Sequence, residues 1–193
     1  MPRPNRELQP ARPWREPPLD EAPAILPTVE ILASTPSVAI AFVGARAYSN
    51  GLELQLEMHA RRRDEDDKEW ERIREAFFSR PGWLLSDAER VQALTIAVSV
   101  DGGADVMADA LAHARGPVDA EPSGWSLSLT RLGGSGGPSS LQSAPGLWLW
   151  RLPPSQYLDL IIRWPALDIT EGRAHVDISG IADLSRQSQQ LWP

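Results

Sequence analysis

The stretch LWLWRLPPSQYLDLIIRWP, residues 147–165, holds three tryptophans, a double proline and two arginines. Two apolar runs flank Pro153-Pro154, and Asp159 and Arg163 interrupt the second, so neither approaches the ~18 apolar residues of a membrane span. The prolines suit a connecting loop, where their missing N–H donors cost nothing. Pairing the runs antiparallel with Trp150 opposite Leu160 and Arg151 opposite Asp159 gives one wholly apolar face: Trp148, Trp150, Leu152, Leu158, Leu160, Ile162 and Trp164. The other face then carries Leu149, Arg151, Tyr157, Asp159, Ile161 and Arg163. A one-residue slip would mix the two faces, so this hairpin register is the expected one. Its tryptophans are read as core, since large aromatics dominate core energetics. The alternative is an exposed aromatic surface, stacking on sugar rings or docking a protein.

Upstream, Val38, Ile40 and Phe42 alternate with small residues, and Asn50-Gly51 precedes Leu52, Leu54, Leu56 and Met58 alternating with Glu53, Gln55 and Glu57. Alternation around Asn-Gly signals a hairpin, expected at 37–62 with the Glu53/Gln55/Glu57 face wet. The period then changes. Trp70, Ile73 and Phe77 fall at i, i+3 and i+7 with Asp66 or Asp67 as N-cap, which predicts one amphipathic helix over about 66–79, stopped by Arg80-Pro81-Gly82. Further strands are expected at 93–100, 125–132, 147–152, 157–164 and 174–179. Residues 104–114 are ambiguous, GGSGGPSS at 133–140 reads as a flexible connection, and 181–191 reads as a short C-terminal helix. The fold class expected is mainly all-β: an antiparallel two-sheet β-sandwich with one inserted amphipathic helix and a short C-terminal helix.

The chain has 193 residues, enough for one domain with a real core. Its first 27 residues hold eight prolines with mixed charge. Residues 1–22 are therefore expected to be a disordered, partly polyproline-like arm, which could also serve as an SH3-type ligand, and 23–193 a single domain. A net charge of −7 argues against nucleic-acid binding, which needs clustered Lys and Arg. Lys68 is the single lysine among nineteen basic residues, a bias read as codon usage. With no cysteine there is no disulfide, thiolate nucleophile or Cys-ligated metal. The N-terminus has no apolar signal-peptide core, and a cytoplasmic, non-membrane protein is expected.

Chemistry-bearing candidates are few. His175 and Asp177, two apart on a strand, would lie on one face about 7 Å apart and form a weak metal candidate, with His59 and His113 the other imidazoles. Gly133-Gly134-Ser135-Gly136-Gly137 spells Gly-x-Ser-x-Gly, but no strand leads tightly into a helix there to make a nucleophile elbow; no Gly-Lys-Ser/Thr follows these glycines, and the acids at 64–67 sit beside Arg61-Arg62-Arg63 as a solvated helix entrance.

The motif Trp148-x-Trp150-x-Leu152-Pro153-Pro154, the strand ending Trp164-Pro165-Ala166-x-x-Ile169 and the terminal Gln190-Leu191-Trp192-Pro193 resemble a family of uncharacterised actinobacterial proteins. The resemblance covers 36–62 and 93–193 in outline, and implies no activity, cofactor or catalytic residue. The expectation is thus a non-enzymatic, cofactor-free protein-interaction sandwich whose partner is a protein or a second copy. Its contact residues would be Leu149, Arg151, Tyr157, Asp159, Ile161 and Arg163. The alternative is a carbohydrate-binding module or hydrolase using exposed tryptophans with Asp159 and Asp177.

Overall fold

The computed structural model describes residues 12–78, 86–109, 121–131 and 133–193. Among them run β1 (Glu21–Ala22), β2 (Ala24–Leu26), β3 (Glu30–Ser34), β4 (Val38–Tyr48), β5 (Gly51–Arg61), α1 (Asp67–Phe77) and α2 (Asp87–Gln92). There follow β6 (Thr95–Val100), β7 (Val106–Asp109), β8 (Ser126–Arg131), β9 (Gly134–Gly136), β10 (Ser140–Ser143), β11 (Gly146–Trp150) and β12 (Tyr157–Trp164). A 3₁₀ turn (Pro165–Leu167), β13 (Ile169–Asp177), α3 (Ile181–Ser185) and β14 (Gln189–Gln190) complete them.

The mainly β expectation holds, but the strands do not separate into two sheets of a sandwich. Twelve belong to one sheet curled into a half-barrel, and β1 and β14 form a small ribbon beside it. The link is β7, which pairs antiparallel with β6 and parallel with β8. Curling brings one end of the sheet, β13, back against β3. At Gly172 the two backbones come so close that a Cβ would lie 2.3 Å from the Leu32 carbonyl oxygen. The concave side encloses the main core, in which Ile40, Phe42, Leu54, Leu147, Leu160 and Trp164 are buried.

The expected hairpin is β4–β5, but its turn is Ser49-Asn50, because Tyr48 pairs with Gly51. Gly51 is drawn into the ladder beneath Trp148, whose ring leaves no space for a Cβ. A bulge at Val43–Gly44 moves the inward set from Val38, Ile40 and Phe42 to Ala45 and Ala47. The face expected to be wet is only partly so. Glu57 is exposed, whereas Glu53 is 4% exposed, because Arg46 (3.3 Å), Arg131 (3.2 Å) and Thr130 (3.1 Å) close over its carboxylate.

The charged helix is α1. Asp66 caps it, accepting from the Glu69 N–H, and Trp70, Ile73 and Phe77 are its buried stripe. Its Phe77 ring packs 5.9 Å from Trp164. The expected Arg80-Pro81-Gly82 stop and the end of the expected span lie outside the described residues. A second helix, α2, follows a capping box of Ser86 and Glu89.

The central expectation about residues 147–165 is overturned. Strand β11 pairs with β5 and β8, and β12 pairs with β6 and β13, so the two runs are not hairpin partners. The Pro153-Pro154 loop carries the chain from one half of the curled sheet to the other. All five residues of β11 are buried because it is covered on both sides. Leu147 and Leu149 face the main core, while Trp148 and Trp150 face outward into a second cluster with Tyr48 and Trp14. All three tryptophans are core, as expected, but only Trp164 shares the face of Leu158, Leu160 and Ile162, and none of the three offers an exposed stacking surface.

Three further expectations change. The glycine-rich connection contains β9, which pairs with β10, and β10 pairs with the end of β5. The C-terminal helix stops at Ser185, and β14 then pairs with β1. Of the arm expected to be disordered through residue 22, Pro13 and Trp14 lie against Trp148 and Trp150, and Glu21 and Ala22 pair with β14. Residues 1–11 lie outside the described residues.

Candidate functional site

Strand β13 sets a polar residue at every second position, Glu171, Arg173, His175 and Asp177, and its partner β12 adds Tyr157, Asp159 and Arg163 on the same face, interrupted by Ile161. The register places Tyr157 opposite Asp177, Asp159 opposite His175 and Ile161 opposite Arg173. The inward residues Leu158, Leu160, Ile162, Ala174 and Val176 lock that register, since a slip would expose them. The outer face is therefore fixed by the core beneath it.

On this face Asp159 is the centre. Its Oδ1 lies 2.7 Å from His175 Nδ1, and its Oδ2 accepts from Arg173 at 3.2 Å. The Tyr157 ring stacks on the imidazole with centroids 4.6 Å apart and planes 18° from parallel. Arg163 donates twice to Glu171 Oε2, at 2.6 and 3.1 Å, and Arg173 Nε lies 3.7 Å from the other Glu171 oxygen. The result is a continuous chain of polar contacts from Arg163 through Glu171, Arg173 and Asp159 to His175. The Asp177 carboxyl is turned to its own loop, and hydrogen bonding from Ser179 holds it below the ordinary carboxylate range. The Asp159 side chain is 20% exposed and that of His175 64%, so the carboxylate orients an imidazole that solvent reaches.

Four of the six expected contact residues, Tyr157, Asp159, Ile161 and Arg163, share this face. Ile161 is only 1% exposed, enclosed by its neighbours, and cannot be a contact. Leu149 is likewise removed, because it is buried in the main core on β11. Arg151 is not opposite Asp159: its guanidinium lies 4.6 Å over the Trp150 ring and pairs with Glu121. The pairing of His175 is with Asp159 across the ladder rather than with Asp177 along the strand. His59 pairs with Glu57 on β5, and His113 lies outside the described residues. Arg173 and Glu171 were missed by sequence reasoning, although their alternation with Gly172 and Ala174 was a usable strand signal.

Among the described residues, no group of three or more His, Cys, Asp or Glu is placed to hold a metal ion, and no helix is long and apolar enough to cross a membrane. No family model, curated protein or solved structure matches the chain.

Proposed function

We propose that the chain is a non-enzymatic protein-interaction domain that engages a protein partner through the outer face of β12 and β13. The observation that supports this reading is an open surface whose recognition groups are already ordered. Tyr157 is 42% exposed and held by its stack on His175, while Arg163 and Arg173 are fixed by Glu171 and Asp159. Tyrosine and arginine dominate binding hot spots, and side chains ordered beforehand lose less entropy on association. Positive and negative groups alternate along the face, which suits a partner of mixed charge rather than a polyanion. Membership of the family bearing the W-x-W-x-L-P-P signature belongs to the same proposal and is supported by those residues alone.

The test is co-purification from the source cell with full-length chains carrying Tyr157→Ala, Arg173→Glu or, as control, Val91→Ala on α2. A partner recovered with the control and lost at least tenfold with both face variants is expected. Recovery of the same proteins at the same level with all three would end this reading.

A second reading is favoured by one observation, the Asp159–His175 contact, which leaves Nε2 as the ring nitrogen able to take a proton in a hydrolase. It predicts ester hydrolysis by the intact protein that His175→Ala lowers at least tenfold; equal rates in the two proteins would remove it.

A further inference from the structure

A different face carries a second recognition site. On the outer side of β4, β5 and β11, Tyr48, Trp148 and Trp150 form an aromatic surface separate from the main core. The Tyr48 ring meets Trp148 edge-on at 5.6 Å, and the Trp148 indole lies against Gly51, where any side chain would collide. Across this surface runs the proline-rich segment of residues 12–20, Arg-Pro-Trp-Arg-Glu-Pro-Pro-Leu-Asp. The Trp148 Nε1–H donates to the Pro13 carbonyl at 2.8 Å, Trp14 sits edge-on to Trp150 at 6.3 Å, and Ser126 Oγ donates to the Trp14 carbonyl at 3.4 Å. The segment meets the rings as a turn, closed by the Arg15 N–H donating to the Arg12 carbonyl at 2.9 Å, and a proline-stiffened turn that offers a carbonyl to an indole N–H loses little entropy on docking.

The segment covers Tyr48, Trp148 and Trp150 but is itself loosely held. Trp14 is only half-buried, Leu19 is exposed, and a cleft of about 600 Å³ lies beside the aromatic surface, lined by the segment's own Pro13, Pro17, Pro18 and Leu19 with Asn50. Among the described residues the Asn50 Oδ1 atom is buried without a hydrogen-bond partner. A tethered ligand can tolerate such a poor fit, since its effective concentration is about millimolar for a short linker. A copy of the same arm on another molecule would have no advantage over it, whereas a better-fitting segment would.

We propose that the Tyr48/Trp148/Trp150 surface is a docking site for a tryptophan-bearing, proline-rich segment of a partner protein. The chain's own residues 12–20 are a displaceable occupant that keeps the site closed.

The probe is a fluorescent peptide with the sequence of residues 12–20, titrated by anisotropy into full-length protein, parent and Trp14→Ala. Saturable binding to the Trp14→Ala protein, at least tenfold tighter than to the parent and lost when the peptide's own tryptophan is replaced by alanine, is expected. Absence of saturable binding to a folded Trp14→Ala protein, or equal binding of the tryptophan-free peptide, overturns the proposal. A second measurement needs no variant: trypsin should cut the parent after Arg15 at least tenfold faster than it cuts the body. Cleavage there only at the rate of global unfolding would make the segment a fixed part of the fold and overturn the proposal equally. Light scattering should give a monomer at all concentrations; a dimer that Trp14→Ala abolishes would replace the partner with a second copy.

Discussion

Replacing Gly172 by alanine tests whether the sheet curls until β13 meets β3. The added Cβ would stand 2.3 Å from the Leu32 carbonyl oxygen, 2.9 Å from the Ala33 Cβ and 3.0 Å from the Ile162 Cγ1. An ordinary carbon–oxygen contact is about 3.3 Å or more, so the strands must part by about 1 Å. Two of the three neighbouring atoms belong to β3, and the nearest is backbone, so no rotamer change relieves the clash. Overpacking of this kind costs about 1–3 kcal/mol, and the backbone contact places it near the upper end. Loss of glycine's freedom in the unfolded chain returns about 0.4–1 kcal/mol. The net loss is about 2 kcal/mol, or about 4–8 °C in Tm at this chain length. Urea and thermal unfolding followed by near-UV circular dichroism measure it, with Gly133→Ala as control, since nothing lies within 4 Å of that Cβ. A Gly172→Ala protein that melts within 1 °C of the parent would refute the close approach of β13 and β3.

Glu53→Ala should lower stability by about 2 kcal/mol in urea, because it removes a buried carboxylate that Arg46, Arg131 and Thr130 bond; a change below about 0.5 kcal/mol would show the cluster to be incidental. Burial, reinforced by the Glu53 charge, raises the Tyr48 phenol above its ordinary value. A group raised in the folded state contributes stability below its unfolded pKa of about 10 and loses it as pH climbs through the folded value. Urea stability should therefore fall more steeply above pH 10 in the parent than in Tyr48→Phe, and parallel pH profiles would contradict this. Trp148→Ala should cost about 3–5 kcal/mol, as expected of a fully enclosed tryptophan, and an unchanged unfolding midpoint would deny that it is buried.

The strands were legible where one face is wet and the other dry. Residues 157–164 alternate except at Ile161, and the structure begins and ends β12 at those positions. The pairing of residues 147–152 was not legible, because both faces of β11 are buried. Leucines and tryptophans both end in apolar surroundings there, so matching apolar faces could not tell a hairpin from a crossing. Glu53 looked wet because carboxylates usually are, and the arginines that cover it come from positions 46 and 131. The charged face was half legible. Tyr157, Asp159 and Arg163 stood out along one strand, but the coupling of Asp159 to His175 depends on a ladder register that neither strand encodes alone. Order in residues 12–22 was hidden by composition, since prolines that cannot pair in a sheet can still lie over aromatic rings.

The placement of β5 has a consequence for synthesis. Ten of its eleven residues pair with β4, which directly precedes it, but its other edge needs β10 and β11, which are synthesised only from residue 140 onward. Through that interval the nascent chain exposes a long unpaired edge rich in leucine, the kind of template on which strands of neighbouring molecules assemble. Glu53, Gln55 and Glu57 recur along that edge on its outer face and discourage such pairing through charge and solvation until the native partners arrive. Of the two acids, Glu57 stays exposed in the finished fold while Glu53 ends enclosed by arginines, so the charge that guards a half-made sheet is in part built into it.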